Sequence, residues 1–340
     1  MDYIAFLTDR VGKLRGNNPQ EPLKEIEIEI EAIRNFWDDA IKHNDLQTIA
    51  AVSEPLHRFY QLKGWYDEGE MMFRDAIWMI RSQVRQNPGR QDLRLLLADM
   101  LEIQADFTFS LGGAHIAENF YYDALAIKEE ILSPDDKSLS ALLNNLAFVH
   151  HEKKEYDKAE YFYQRALTLS EKSLGSDHIG VAAPLNNLAV LFRDTGNYEQ
   201  SEALFRRSLA ISEKRLGKDH YELIPTLSNI ALLYRDRGRF TDAEVLYNRA
   251  IEIAEHSLGK GHPGIATTLN NLAELYAKQG NYQRAEVLLE QVLNILERSL
   301  PATHPDISKA RNNLNAVNSM TTKRKKRGKM TKRLRKKRGL

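Results

Sequence analysis

The feature that most constrains this chain is a short phrase that returns every 42 residues. It reads Leu-Asn-Asn-Leu-Ala at 143–147, 185–189 and 269–273, Leu-Ser-Asn-Ile-Ala at 227–231, and Arg-Asn-Asn-Leu-Asn at 311–315. A fixed period of roughly 20–50 residues is typical of stacked repeats, because one such unit cannot bury its apolar face alone. We therefore predict an elongated helical solenoid whose function lies on a surface rather than in a catalytic pocket.

Each repeat contains two amphipathic segments separated by a turn. Within 143–184, apolar and small residues recur at three-and-four spacing in both halves, which indicates two helices. Gly196, Gly238 and Gly280 follow the first segment of later units, where a helix commonly ends in a left-handed residue. Lys154 stands at this place in the first regular unit. The repeat unit is thus predicted to be a helical hairpin.

The repeat pattern divides the chain into four parts. Residues 1–44 are predicted to form N-terminal helices that cap the solenoid, with 22–43 as one helix. Residues 45–133 hold degenerate hairpins. Corresponding residues of these hairpins are 48 residues apart instead of 42, which predicts a longer connection between them at Asn87–Gln91. Residues 134–318 form the regular array, and residues 319–340 are expected to be a disordered basic tail.

Composition and charge narrow the class further. The chain has no cysteine and no apolar run of membrane-spanning length, so we expect a cytoplasmic protein. Residues 323–338 contain twelve Lys or Arg and no acidic residue. The rest of the chain then has 36 basic and 47 acidic residues, a net charge near −11. The tail and the folded body are therefore expected to behave as separate physical objects.

At these residues the chain resembles tetratricopeptide repeat proteins of the 42-residue, kinesin-light-chain-like type. The likeness rests on Leu143–Ala147, on Gly196-Asn197-Tyr198, on Arg165-Ala166-Leu167 and on Leu258–Pro263. It is strong over 140–316 and weaker over 45–133. The resemblance implies an all-α fold, a right-handed superhelical solenoid of stacked hairpins. Around Asn35–Trp37 and Gly64–Glu70 the chain also resembles, more loosely, the repeats that follow the nucleotide-binding module of bacterial signal-transduction ATPases.

In such solenoids the first helix of each hairpin lines the concave face. The resemblance therefore implies a peptide-binding groove, and an Asn carboxamide can pair with a peptide N–H and C=O without demanding a particular side chain. The alternative is that one Asn of each helix is a structural link to the neighbouring helix. The groove residues implied are Asn144, Asn145, Asn186, Asn187, Arg193, Asn229, Arg235, Asn270, Asn271 and Asn313.

We predict neither an enzyme nor a metal or cofactor site. No nucleophile with a base and no phosphate-binding glycine loop occurs in the sequence. The sequence repeats a histidine once per unit, at His178, His220, His262 and His304. Equivalent atoms in successive repeats lie on the order of 10 Å apart, and each ligand must come within about 2 Å of a metal, so these histidines cannot bind one ion together. They are expected to fix the loops between repeats by hydrogen bonding.

The basic tail is the second functional signal. It can neutralise phosphates on a nucleic acid or contact another anionic surface, but it has no aromatic residue for base stacking. The main prediction is a non-catalytic scaffold or adaptor that binds an extended peptide. The alternatives are a nucleic-acid-associated regulator that uses the tail, and the partner-binding part of a signal-transduction ATPase system. The tail residues assigned to polyanion binding are Lys323, Arg324, Lys325, Lys326, Arg327, Arg333, Arg335, Lys336, Lys337 and Arg338.

Overall fold

The computed structural model describes residues 2–14, 20–299 and 305–337. All regular secondary structure in these residues is helical, with sixteen α-helices and three short 3-10 turns. Helices α1 (Tyr3–Lys13), α2 (Gln20–Ile28) and α3 (Ile30–Lys42) come first. Asp2 caps α1 by accepting hydrogen bonds from the backbone N–H groups of Ile4 and Ala5.

Six helical hairpins and one long helix follow. The prediction of an all-α fold of stacked helical hairpins is confirmed. The hairpins are α4 (Leu46–Lys63) with α5 (Tyr66–Gln86), α6 (Gln91–Ser110) with α7 (Ala114–Ile131), α8 (Ser138–Glu152) with α9 (Tyr156–Leu174), α10 (Ala182–Asp194) with α11 (Tyr198–Leu216), α12 (Ile224–Asp236) with α13 (Phe240–Leu258), and α14 (Ala266–Lys278) with α15 (Tyr282–Ser299), before α16 (Pro305–Lys337).

The chain forms two compact units, residues 1–211 and 212–340, whose boundary falls inside α11. The core of the first unit is rich in aromatic side chains. Trp37, Phe73 and Phe107 are fully buried. The ring centroid of Phe73 lies 5.0 Å from that of Trp37 and 5.8 Å from that of Phe107. The second unit has a core of aliphatic side chains that includes Leu269, Val292 and Ile307, contributed by α14, α15 and α16.

The turn inside each hairpin has the predicted left-handed residue. Gly196, Gly238 and Gly280 have φ values of +83°, +74° and +74°. Lys154 adopts φ +61° at the same place, although a side chain disfavours this conformation. Its neighbour Glu155 still donates the closing hydrogen bond, 2.9 Å from its backbone N to the carbonyl of His150. The first regular hairpin therefore keeps the turn geometry without the glycine.

Two details of the upstream region differ from the sequence-based expectations. The predicted helix over 22–43 is two helices, because residue Glu29 leaves helical geometry between α2 and α3. The predicted longer connection at Asn87–Gln91 is wrong, since only residues 87–90 separate α5 from α6. The additional residues instead lengthen a helix: α6 has 20 residues, whereas α10, α12 and α14 have 13 each.

The basic tail has helical backbone as far as the structure describes it. Helix α16 continues to Lys337, whereas the sequence leads us to expect a disordered segment from residue 319. Lys and Arg have high intrinsic helix propensity, and this segment contains no proline to end the helix. Side chains from 323 onwards, and residues 338–340 altogether, lie outside the described part of the chain.

Candidate protein-interaction surface

The paired asparagines lie half-buried on the first helices of the hairpins. Asn144 and Asn145 are on α8, and Asn186 and Asn187 are on α10. A half-buried carboxamide can bond within the protein while part of it stays exposed to solvent. Asn229 on α12, Asn270 and Asn271 on α14 and Asn313 on α16 are also half-buried.

The second asparagine of a pair bonds the preceding repeat. Asn187 Nδ2 donates to Asn144 Oδ1 over 3.1 Å, and Asn313 Nδ2 donates to Asn270 Oδ1 over 2.9 Å. Asn145 Nδ2 donates over 3.2 Å to Asp106 Oδ1 on α6, which belongs to a degenerate hairpin. We call this series of interhelix bonds the carboxamide ladder. Interhelix bonds of this kind are what the structural alternative predicts for Asn145, Asn187 and Asn313.

The ladder begins in a polar cluster that the sequence analysis missed. Asp106 also accepts a hydrogen bond from the hydroxyl of Tyr121, and its Oδ2 lies 3.1 Å from His57 Nε2. His57 packs edge-on against Phe107. The degenerate hairpins carry no repeated phrase at these positions, so periodicity offered no signal for the cluster.

The two groove arginines are already engaged in ion pairs. Arg193 donates to Asp194 over 2.7 and 2.9 Å, and Asp194 lies 3.0 Å from His151 Nε2. Arg235 bonds its neighbour Asp236 and also reaches Glu274 on α14 over 3.0 Å. Their side chains are only 14 and 13% exposed. Arg235 therefore links α12 to α14, whereas the described bonds of Arg193 stay within α10.

An aromatic pair extends the face of the first unit. Phe109 on α6 and Phe148 on α8 have ring centroids 5.3 Å apart, and Phe148 is 41% exposed. Nδ2 of the adjacent outer asparagine, Asn144, has no hydrogen-bond partner among the described residues. An exposed aromatic ring beside an available amide is suited to holding a peptide through both apolar and backbone contacts.

The loop histidines act as caps of the short 3-10 turns. The Nδ1 atoms of His178, His220 and His262 accept hydrogen bonds from the backbone N–H two residues ahead, at 3.1, 3.3 and 3.0 Å. Accepting this bond requires a neutral Nδ1. Burial lowers the pKa of His262 and so favours the neutral form. The expected loop-fixing role is confirmed for these three, and His304 lies outside the described residues.

One group of side chains has the composition of a metal site. Ligand atoms of Glu118, His150 and Glu155 lie within 4.8 Å of one another. However, the ammonium of Lys153 lies 2.6 Å from Glu118 and 3.0 Å from Glu155, and Tyr122 Oη lies 2.9 Å from His150 Nε2. These cations and hydrogen bonds already satisfy the carboxylates and the imidazole.

The same group is better described as an ion-pair network that joins α7, α8 and α9. Hydrogen bonds from Lys158, Lys153 and His150 lower the pKa of Glu155 to about 2, so this carboxylate stays ionised at neutral pH. His150 is fully buried and stacks on Phe162 with ring centroids 5.5 Å apart. The network stabilises the hairpin whose turn lacks a glycine.

Charge is distributed unevenly between the units. Residues 1–211 contain 34 acidic and 23 basic residues, whereas 212–322 contain 13 of each. The net negative charge of the body thus lies in the first unit, and within the second unit the basic tail follows a stretch of balanced charge, 212–322. No helix in the described residues is long and apolar enough to cross a membrane.

Comparison with solved structures supports the repeat architecture. BtubC (BKLC) from P. vanneervenii matches with a TM-score of 0.55 and 22% identity, over 71% of this chain and 94% of that one. A putative kinesin light chain with nearly identical TPR-like repeats from Podosopora anserina matches with a TM-score of 0.50 and 22% identity, over 62% of this chain and 99% of that one. At such identities the likeness concerns the fold alone. Comparison with curated proteins gives no match.

These features define a helical-hairpin repeat protein. The tetratricopeptide repeat family model matches residues 96–172, 138–214 and 222–298, which together cover more than half of the chain. The chain belongs to the tetratricopeptide repeat family. Repeats of this family indicate a scaffold for protein–protein interaction.

Proposed function

We propose that this protein is a non-catalytic, cytoplasmic adaptor that holds an extended segment of a partner protein against the first helices of its hairpins. The observation that carries the proposal is the exposed Phe148 ring beside the unused Nδ2 of Asn144. Burying an aromatic ring removes a large apolar area from water, and the amide fixes the peptide backbone. Nδ2 of Asn144 donates no bond in the ladder, and the ring of Phe148 is exposed, so both are available to a ligand.

The test is affinity capture from source-cell lysate with the full chain and three single-residue variants. Phe148→Ala removes the ring on α8, and Tyr161→Ala removes an aromatic ring that is 58% exposed on the second helix α9. We expect a captured protein to be lost with Phe148→Ala, lost in part with Asn144→Ala, and retained with Tyr161→Ala. Equal retention by all variants, or selective loss with Tyr161→Ala, would place the binding surface elsewhere.

The basic tail supports a second function, contact with a polyanion. Twelve positive charges within residues 323–338 follow the balanced stretch 212–322, so no acid excess in the adjacent sequence opposes a phosphate chain. A fluorescent 20-nucleotide single-stranded RNA serves as the probe, with the full chain and a chain ending at residue 322. We expect binding to the full chain only, and weakening as salt rises. Salt-independent binding by the truncated chain would reject this role.

The third possibility is that the repeats are the partner-binding part of a signal-transduction ATPase system. The chain has no phosphate-binding Gly-x-x-x-x-Gly-Lys-Ser/Thr sequence, so the nucleotide would have to be bound by another protein. This case is a subset of the adaptor proposal. Capture of a protein with a nucleotide-binding motif through the Phe148 surface would identify it.

A further inference from the structure

The first unit contains a cleft where the N-terminal helices meet the first hairpin. It has a volume of about 240 Å³ and lies among α3, α4 and α5. None of the residues around it belongs to the carboxamide ladder or to the Phe148 surface. The lining consists of Arg34 and Asp38 of α3, Tyr60 of α4, and Glu68, Met71 and Met72 of α5.

Part of the lining is apolar and held in place. Tyr60 is fully buried, and its hydroxyl accepts a hydrogen bond from Arg34 Nε over 3.0 Å. The backbone carbonyl of Met72 accepts a hydrogen bond from Trp37 Nε1 over 3.2 Å. The other methionine, Met71, is 51% exposed. Methionine thioethers adapt their shape to the apolar groups that they contact, so this wall suits the hydrocarbon part of a ligand.

The positive charge in the lining is already neutralised. Nη1 of Arg34 donates to Glu31 Oε1 over 2.7 Å, and Nη2 donates to Glu68 Oε2. Since Nε is bonded to Tyr60, each nitrogen of the guanidinium has an acceptor within the protein. The cleft therefore does not present Arg34 as a site for an anion.

Asp38, by contrast, has no ion pair or hydrogen bond among the described residues. It stands four residues after Arg34 and four before Lys42, and ion pairs commonly form at this spacing on a helix, yet neither forms here. One guanidinium then faces the three carboxylates of Glu31, Glu68 and Asp38. The cleft thus carries an excess of negative charge beside an apolar wall.

This combination selects against a metal ion and for an organic cation. A Ca²⁺ ion takes about 6–8 oxygen ligands, whereas the cleft offers two carboxylates, one of which already binds Arg34. Within the described residues, the group with the composition of a metal site is the one at Glu118, His150 and Glu155. A cation whose charge is attached to a hydrocarbon chain matches both parts of the lining.

We propose that this cleft binds an alkylammonium group, whose charge is held by Asp38 and Glu68. Its methylene chain lies against Met71 and Met72, in the way that lysine stems lie along apolar surfaces while the charged end stays near water. Such a group belongs either to a free polyamine or to a lysine side chain of a protein. The site is independent of the adaptor surface at Phe148.

Isothermal titration calorimetry on the full chain tests both sources of the group. One arm uses spermidine, and the other uses a capped pentapeptide with one central lysine among glycine and serine. We expect saturable binding of at least one probe. Spermidine alone identifies a polyamine site, and binding of the peptide identifies a site for a protein lysine. Binding of neither probe overturns the assignment and leaves the adaptor proposal to its own capture experiment.

The charge contribution is tested with two neighbouring aspartates. Asp38→Asn should weaken binding about 5-fold, as expected for loss of one partly exposed ion pair. The matched control is Asp39→Asn, which removes the same charge from a carboxylate that lies 3.3 Å from His43 Nδ1 and does not line the cleft. The control should keep the wild-type affinity. Equal weakening in both variants would reduce the effect to general attraction by the acidic unit and overturn the site.

The apolar contribution is tested with a series of amines. Affinity should rise from methylamine to pentylamine in the wild type, because each added methylene removes apolar surface from water. This rise should be smaller in Met71→Ala and unchanged in Trp78→Ala, which removes a 76% exposed ring of the same helix outside the cleft lining. An affinity that does not depend on chain length would overturn the assigned role of the methionines.

A final variant supplies the ligand from within the chain. Asp38→Lys removes the free carboxylate and places an alkylammonium group at the cleft itself. Binding of the probes should be abolished, while the melting temperature stays at the wild-type value because Asp38 is exposed and unpaired. Retained binding in this folded variant would overturn the site.

Discussion

Asn187 Nδ2 donates a 3.1 Å hydrogen bond to Asn144 Oδ1 and so joins two consecutive first helices, α10 and α8. Asn187 also accepts from Asn186 Nδ2 over 3.4 Å, so both ends of its carboxamide are occupied. A repeated asparagine with both ends occupied acts as a link between repeats. Asn144, which contributes only its oxygen to the ladder, keeps an Nδ2 group that can donate to a ligand.

Asn187→Ala should therefore reduce stability. We expect a loss of about 1–2 kcal/mol, because the substitution leaves a half-buried acceptor on Asn144 without its donor. Urea unfolding followed by circular dichroism measures the change. Asn312→Ala, an exposed asparagine, should stay within about 0.5 kcal/mol of the wild type. Equal stability of the two variants would mean that the ladder bond contributes nothing.

Lys154→Gly should stabilise the protein. Lys154 has φ +61° at a turn where the later repeats have glycine, and relief of this conformation is worth about 0.5–1 kcal/mol. The reverse change, Gly196→Ala at φ +83°, should destabilise by a similar amount. Both are measured by urea unfolding. A loss of stability in Lys154→Gly would indicate that the lysine side chain stabilises the fold by more than its positive φ costs.

Glu102→Gln should remove part of the pH dependence of the free energy of unfolding. Burial, which outweighs the attraction of Lys128, raises the pKa of Glu102 to about 7. One ammonium serves two carboxylates here, since Lys128 Nζ lies 2.8 Å from Asp99 and also contacts Glu102. The folded state therefore holds the Glu102 proton more tightly than the unfolded state, whose ordinary pKa is near 4.5.

This raised pKa fixes the sign of the effect. The contribution of the Glu102 proton to stability is complete below about pH 4.5 and is lost as the pH rises through about 7. The difference in unfolding free energy between wild type and Glu102→Gln should thus change by on the order of 1–3 kcal/mol between pH 5.5 and 8.5. A constant difference over this window would refute the shifted pKa.

His262→Asn should have the opposite pH behaviour. Burial lowers the pKa of His262, so the unfolded state binds the proton more readily and stability is lost as the pH falls through about 6.5. Asparagine retains a capping oxygen for the backbone N–H of Gly264 but does not titrate in this range. Thermal melts at pH 5.5 and 7.5 should show a smaller loss on acidification in the variant than in the wild type.

Much of the fold could be predicted from the sequence, because its strongest signals are periodic. The turn glycines, the paired helices and the capping histidines recur with the repeat, so one physical explanation serves several positions. The length of α6 could not be predicted this way, since residues added within a helix and residues added to a loop shift the register equally. The same holds for the break at Glu29, which no proline or glycine marks.

The candidate site was harder to predict, because it depends on which side chains already have partners. The phrase Leu-Asn-Asn predicts two polar residues on a first helix, but not that Asn187 bonds another repeat or that Arg235 reaches Glu274. Asn271 donates no such bond among the described residues, and the acceptor position one repeat earlier, 43 residues away, holds Ser228 instead of asparagine. Only a three-dimensional arrangement joins the two.

The ladder bond has a consequence for how such a chain can change in evolution. Because a donor in one repeat requires an acceptor in the repeat before it, the 42-residue unit is not a freely interchangeable module. A duplication that places a copy of 266–307 after itself would set asparagine beside asparagine and extend the row of bonds, whereas a copy of 224–265 placed before 266–307 would again present serine to Asn271. Gene duplication in this protein would therefore preserve or break the row of bonds according to which repeat is copied, so the order of the repeats matters as well as their number.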